Sequence, residues 1–142
     1  MSYNPAADTV ISDVANLKWK KYLVNYSDLS SGLTINDVEL FSLTGKGIIR
    51  SVIISHNTQF QGPGLTSLKA NVGLTGDLKR YSSDFEATAV PGDGVYQIVD
   101  YSDFPSKIAA TSVRVSAEST GCNLNQLTQG QLEIQILWST LS

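Results

Sequence analysis

The 142-residue chain has one cysteine, one histidine and one methionine. A lone cysteine excludes an intrachain disulfide framework, and with a lone histidine it excludes every His- or Cys-rich metal site. Charge is scarce as well. Asp, Glu, Lys and Arg make up 16% of the residues, against about 25% in an ordinary soluble domain. The net charge of −3 argues against a nucleic-acid-binding surface, which carries a basic excess. No apolar run approaches the roughly 20 residues that span a bilayer as a helix. The stretch Met1 to Asp8 holds neither a basic region nor a following apolar run, so no secretory signal is expected. The expectation is a protein made in the cytosol, with no membrane or nucleic-acid partner.

What is plentiful is uncharged polarity: 44 residues are Ser, Thr, Asn or Gln, and 11 more are Gly. With 42% apolar residues, this is the composition of one domain built from short strands and many turns. Residues 1–18 stand apart. Val10, Val14 and Leu17 fall at helical spacing among Ser, Asn and Asp, which suggests an N-terminal arm that lies on its own domain or on a neighbour. Tyr3, Val10, Val14, Leu17 and the adjoining Trp19 are its candidate protein contacts.

From residue 19 to 142 the period is two. Tyr22, Val24 and Tyr26 share a face. A second strand over 33–43 sets Val38, Leu40 and Ser42 against Phe41 and Leu43. Thr44-Gly-Lys-Gly47 reads as a hairpin turn into the β-branched run Ile48 to His56. Asn57 to Gly64 reads as a loop. Further strands are expected over 65–74, weakly over 84–90, over 95–99, over 108–118 with Ser112, Arg114, Ser116 and Glu118 facing out, and over 131–138. Asp100 to Lys107 and Ser119 to Gly130 read as loops. Eight strands in series predict an all-β, eight-stranded antiparallel sandwich of jelly-roll type. The immunoglobulin-like sandwich is the competitor; the missing Cys–Trp–Cys core and the long loops favour the jelly roll.

Catalytic signatures are absent. The Gly-Lys pair at 45–46 is not followed by Ser or Thr and leads into a strand, whereas a phosphate loop opens a helix. A Ser–His–Asp triad would need His56, which reads instead as a cap on the sheet or a solvent-facing side chain at a strand end. Cys122 sits in a turn-like segment and reads as an inert thiol. Asp84, Glu86, Asp93, Asp100 and Asp103 could form an acid pair or hold Ca²⁺, but they fall mostly in turns and lack the calcium-loop spacing. No catalytic residue, cofactor or metal ligand is therefore assigned. Tyr81, Phe85, Tyr96, Tyr101 and Phe104 crowd one stretch and form a candidate aromatic contact surface, suited to a protein interface or to sugar stacking.

The strand cores carry a resemblance. Trp19-Lys-Lys-Tyr-Leu-Val-Asn-Tyr, Asn36-Asp-Val-Glu-Leu-Phe-Ser-Leu, Gly47-Ile-Ile-Arg-Ser-Val-Ile-Ile-Ser-His and Leu132-Glu-Ile-Gln-Ile-Leu-Trp-Ser together resemble the small β-sandwich virion proteins of tailed bacteriophages. These are the head decoration (cement) proteins and related fibre or tail accessory proteins. The resemblance implies a non-enzymatic jelly roll on the outer capsid surface, assembled in the host cytoplasm. It implies a homotrimer that binds the major capsid protein and clamps its subunits. A receptor- or carbohydrate-binding module of a fibre or tail is the alternative. The sparse charge suits extensive protein contact, since fewer ions need desolvation.

Overall fold

The computed structural model describes residues 18–43, 46–92, 94–103 and 111–141. Eight strands run in chain order: β1 (Lys18–Asn25), β2 (Ile35–Leu43), β3 (Lys46–Gln61), β4 (Ser67–Leu74), β5 (Phe85–Glu86), β6 (Tyr96–Asp103), β7 (Thr111–Thr120) and β8 (Gln129–Leu141). They form two four-stranded sheets, ordered β1-β8-β3-β6 and β2-β7-β4-β5. Every pair is antiparallel, and the pairs are nested: β1 with β8, β2 with β7, β3 with β6, β4 with β5. That nesting is the jelly-roll connectivity, a long hairpin closed by the β4–β5 pair and rolled so that β1 to β4, and again β5 to β8, alternate between sheets. It excludes the immunoglobulin order.

The inner faces follow the alternation of the sequence. In the first sheet, Tyr22, Ile134 and Ile54 form one row across β1, β8 and β3, with Ile136 and Val52 in the next. In the second, Val38, Val115 and Val72 align across β2, β7 and β4. Leu132, Ile134, Ile136, Val52, Ile54, Val72, Val113 and Val115 are fully buried. Each such side chain is worth roughly 1.5–3 kcal/mol of transfer free energy.

Bulges in β2 and β3 depart from strict alternation. In β2 the register shifts between Glu39 and Phe41, so Leu40 is the extra residue. Both Leu40 and Phe41 then pack on the core, which an unbroken period of two would forbid. Phe41 stacks on Tyr22 at 5.7 Å and on Trp138 at 5.0 Å between ring centroids. One aromatic of the second sheet thus joins two of the first. In β3 the extra residue against β8 is Arg50, between Ile49 and Ser51; Ile49 and Val52 are both buried in the core.

Other expectations change. Of the expected hairpin turn Thr44-Gly-Lys-Gly47, Lys46 and Gly47 belong to β3, Thr44 and Gly45 lie outside the described residues, and β2 and β3 are in different sheets and so form no hairpin. β3 runs on to Gln61 through the predicted loop. There the Gln59 side chain donates to the Thr88 carbonyl at 2.6 Å, and Gln129 donates to the Gln59 carbonyl at 3.0 Å. Side-chain amides thus sustain the extension that loop-like composition argued against. β5 shrinks to two residues, while β6 continues to Asp103. The outward face of β7 is only partly solvated: Ser112 and Ser116 are buried, while Arg114 is half-buried and Glu118 exposed. Gly73 of β4 explains part of this. The main chain of Asp77 and Leu78 lies where its side chain would stand, closing that side of the sheet.

Replacing Phe41 with Ala removes the aromatic bridge between sheets and should cost about 2–3 kcal/mol, given its partial burial. Urea denaturation should show a lower midpoint with an unchanged m-value.

Candidate interaction surface

The residues singled out for contact disperse in the fold. Tyr81 and Phe85 lie in the core, at 0% and 6% exposure. Tyr81 follows the reversal after β4, where its N–H donates to the Val72 carbonyl at 2.9 Å. Phe85 meets the His56 ring in a T-shaped contact, with ring centroids 5.3 Å apart. Tyr96 points outward from β6 and is 54% exposed. Tyr101 belongs to β6, but its side chain, like Phe104 altogether, lies outside the described residues. Of the three whose side chains are described, Tyr81 and Phe85 are buried and Tyr96 faces outward, so these three do not share one exposed surface. Of the proposed arm contacts, Trp19 is 52% exposed, and Tyr3, Val10, Val14 and Leu17 lie outside the described residues.

A different grouping emerges on the outer face of the β1-β8-β3-β6 sheet. Trp19 stands opposite Leu137. Ile53 stands opposite Ile98, and Ser55 opposite Tyr96. Leu137 is diagonal to Ile53 across β8 and β3, within reach of a large side chain. Trp19, Leu137, Ile53, Ile98 and Tyr96 thus make an apolar band slanting across all four strands. Trp19, Ile98 and Tyr96 are each more than half exposed. Beside the band runs a polar ladder. Asn57 donates to Gln131 Oε1 at 3.0 Å, Gln131 donates to Asn25 Oδ1 at 2.9 Å, and Gln135 donates to Glu133 Oε2 at 3.1 Å. Leu137, Ile53 and Ile98 were missed because they sit in runs where apolar residues occupy both parities, and period alone does not tell the solvent face from the core face.

The candidate chemical groups are held by structural partners. His56 is 4% exposed and inside the sandwich, not capping a strand end, because β3 continues past it. Its Nε2 lies 2.5 Å from the Ala89 carbonyl. A carbonyl only accepts, so Nε2 carries the proton. Cys122 is buried. Asp84 pairs with Lys79 at 3.2 Å and Lys69 at 3.9 Å; a hydrogen bond from Asn71, then the bond to Lys79, hold its carboxyl below the usual value. For Glu86, burial pushes upward. Hydrogen bonds from Ser67 Oγ, the Leu68 N–H and Thr88 outweigh it, and the net shift is downward. A general acid needs the opposite shift. Asp93 lies outside the described residues, as do the side chains of Asp100 and Asp103. Arg114 donates from Nε to Asp37 at 2.6 Å and from Nη1 to Ser112 at 3.2 Å, cross-linking β7 to β2 on the other sheet's outer face. Among the described residues no cluster of His, Cys, Asp and Glu could hold a metal, and no helix is long and apolar enough to cross a membrane.

The fold has a counterpart in a phage particle. A chain of the cyanophage Pam1 capsid asymmetric unit superposes with a TM-score of 0.58 at 16% identity, over 87% of this chain and 84% of that one. The chain shares its fold with a component of a phage capsid. A chain of infectious bursal disease virus, Gt strain, matches at a TM-score of 0.33 and 11% identity, over 89% of this chain and 38% of that one. That score is too low to carry an argument. No protein-family model matches the sequence, and no curated protein matches it significantly.

Two outcomes check the placement of these side chains. Tyr81→Ala should cost about 3–5 kcal/mol, as removal of a buried aromatic does, whereas Tyr96→Ser should stay within about 0.5 kcal/mol of wild type; thermal melts separate the two. Glu86 supplies a pH test. Its lowered carboxyl contributes stability that is fully present above its ordinary value of 4.5 and lost as pH falls through the lower folded value. Wild type should therefore lose its advantage over Glu86→Gln below about pH 4.5 in a pH series of melts.

Proposed function

We propose that this chain is a non-enzymatic structural component of a bacteriophage virion, a decoration or cement protein. It binds major capsid subunits on the outer surface of the head and associates with itself there as a homotrimer. The observation that carries this reading is the jelly-roll topology, shared along most of its length with a chain of a phage capsid asymmetric unit. The surface chemistry supports it. A sheet face with an apolar band, a neutral polar ladder and few ions loses little on desolvation against another protein. The arm, residues 1–18, with Trp19 at its end, is the second contact element of this reading. The glycan-binding alternative is weakened, because the aromatic platform it needs is divided between core and surface.

The test uses purified phage heads stripped of this protein. Adding it back should restore stoichiometric binding and raise the temperature at which the heads release DNA, and deleting residues 2–17 should weaken that binding about tenfold or more, as loss of a docking segment does. Heads that neither bind the protein nor gain stability would sink the reading. Binding to tails, fibres or a glycan array instead would move the protein to the receptor-binding class.

A further inference from the structure

Four strands end the two sheets: β1 and β6 in the first, β2 and β5 in the second. The outer edge of such a strand carries main-chain groups with which another strand can pair. Three of these edges are blunted, each in its own way. β1 exposes Lys18, Lys20 and Lys21 within its first four residues. β2 bears Asp37 and Glu39 and is interrupted by the bulge at Leu40. β5 is only two residues long. Lysines, bulges and brevity all discourage pairing at an edge.

β6 has none of these devices in its first half. Tyr96 to Val99 contain no charge, proline or glycine, and they pair with Ser55 to Val52 of β3 without a register shift. Among the described residues no strand lies beyond β6. Tyr96 and Ile98 point from it to the outer face and are each more than half exposed. An uncharged edge that displays Tyr and Ile is a template for one more strand.

The strand that suits this edge is β6 of a second copy. Antiparallel pairing about a two-fold axis at Gln97 sets Tyr96 of each copy opposite Ile98 of the other. Residues two apart share a face, and an axis normal to the sheet keeps that face common to both copies. Aromatic and β-branched side chains are favoured cross-strand partners. The apolar band of each copy, which ends at Tyr96 and Ile98, then continues into that of its neighbour.

We infer that two copies of this chain pair through their β6 edges, antiparallel and about a two-fold at Gln97, and join their four-stranded sheets into one of eight strands. The inference does not rest on the virion reading, since it concerns an edge of the isolated chain, and this two-fold contact is separate from any three-fold association. The overlap is short, well below the roughly 800 Å² per partner of a stable interface. Pairing is therefore weak, with a dissociation constant of about 0.1–1 mM, and it acts where copies are crowded together.

The experiment uses the full-length protein in sedimentation equilibrium from about 10 μM to 1 mM, a range that brackets this constant. Wild type should shift from monomer to dimer across it. Ile98→Lys places a charge on the edge at a position 52% exposed. It should weaken association about tenfold or more and leave the thermal melt of the dilute protein unchanged. Trp19→Ser alters the far end of the band and should leave association as it is. Register is read by oxidising an equal mixture of Tyr96→Cys and Ile98→Cys chains, Cys122 being buried. The mixture should give a disulfide-linked dimer of the two variants, and each variant alone about tenfold less, because only opposed positions bring their Cβ atoms close enough. A monomer at every concentration overturns the inference. Association that survives Ile98→Lys, or that Trp19→Ser abolishes, overturns it and assigns the contact to the sheet face. Cross-linking as efficient in either variant alone overturns the two-fold at Gln97.

Discussion

The burial of two inner sheet faces against each other is the constraint on which the rest of this molecule depends. Ile134, Ile136, Val52 and Ile54 of one sheet, and Val113, Val115, Val72 and Leu74 of the other, have no alternative shelter from water. With so little charge and no disulfide, this apolar contact is the main source of stability. The nested pairing follows from it. Strands that alternate between sheets bring β1 to β8 and β3 to β6 only if the whole chain rolls up around one core.

Where simple alternation would break that core, the backbone adjusts. The bulges at Leu40 and Arg50 each insert one residue, and Phe41 and Ile49 pack in the core. The stack of Phe41 on Tyr22 and Trp138 is the product of the first. Glycine serves the same end at Gly73, where a side chain would collide with the returning main chain. Neutral amides do the work that ions do elsewhere, extending β3 and linking strands across the outer face.

This economy of charge bears on what the surface can do. The ionisable groups that could suggest chemistry are committed: His56 to a carbonyl, Asp84 to lysines, Glu86 to hydroxyls and an amide, Arg114 to Asp37. Several of the large exposed apolar side chains, Trp19, Tyr96 and Ile98, share one sheet face. A surface of that composition recognises by shape and burial.

Most of the strands were legible because a half-buried strand alternates, and β8 is the clearest case: Leu132, Ile134 and Ile136 point in and Glu133 and Gln135 point out, as their spacing demands. Fold class and strand number were likewise set by residue types and their period. Other features depend on contacts between residues far apart in the chain. The jelly-roll order, the sheet crossing after β2, the bulges, the burial of Tyr81, Phe85 and His56, and the exposure of Ile98 are of this kind. Period two assigns alternate residues to opposite faces but does not say which face meets the other sheet. Where both parities are apolar, as in β6, only the packing of one sheet on the other decides which side chains form the core and which form the surface.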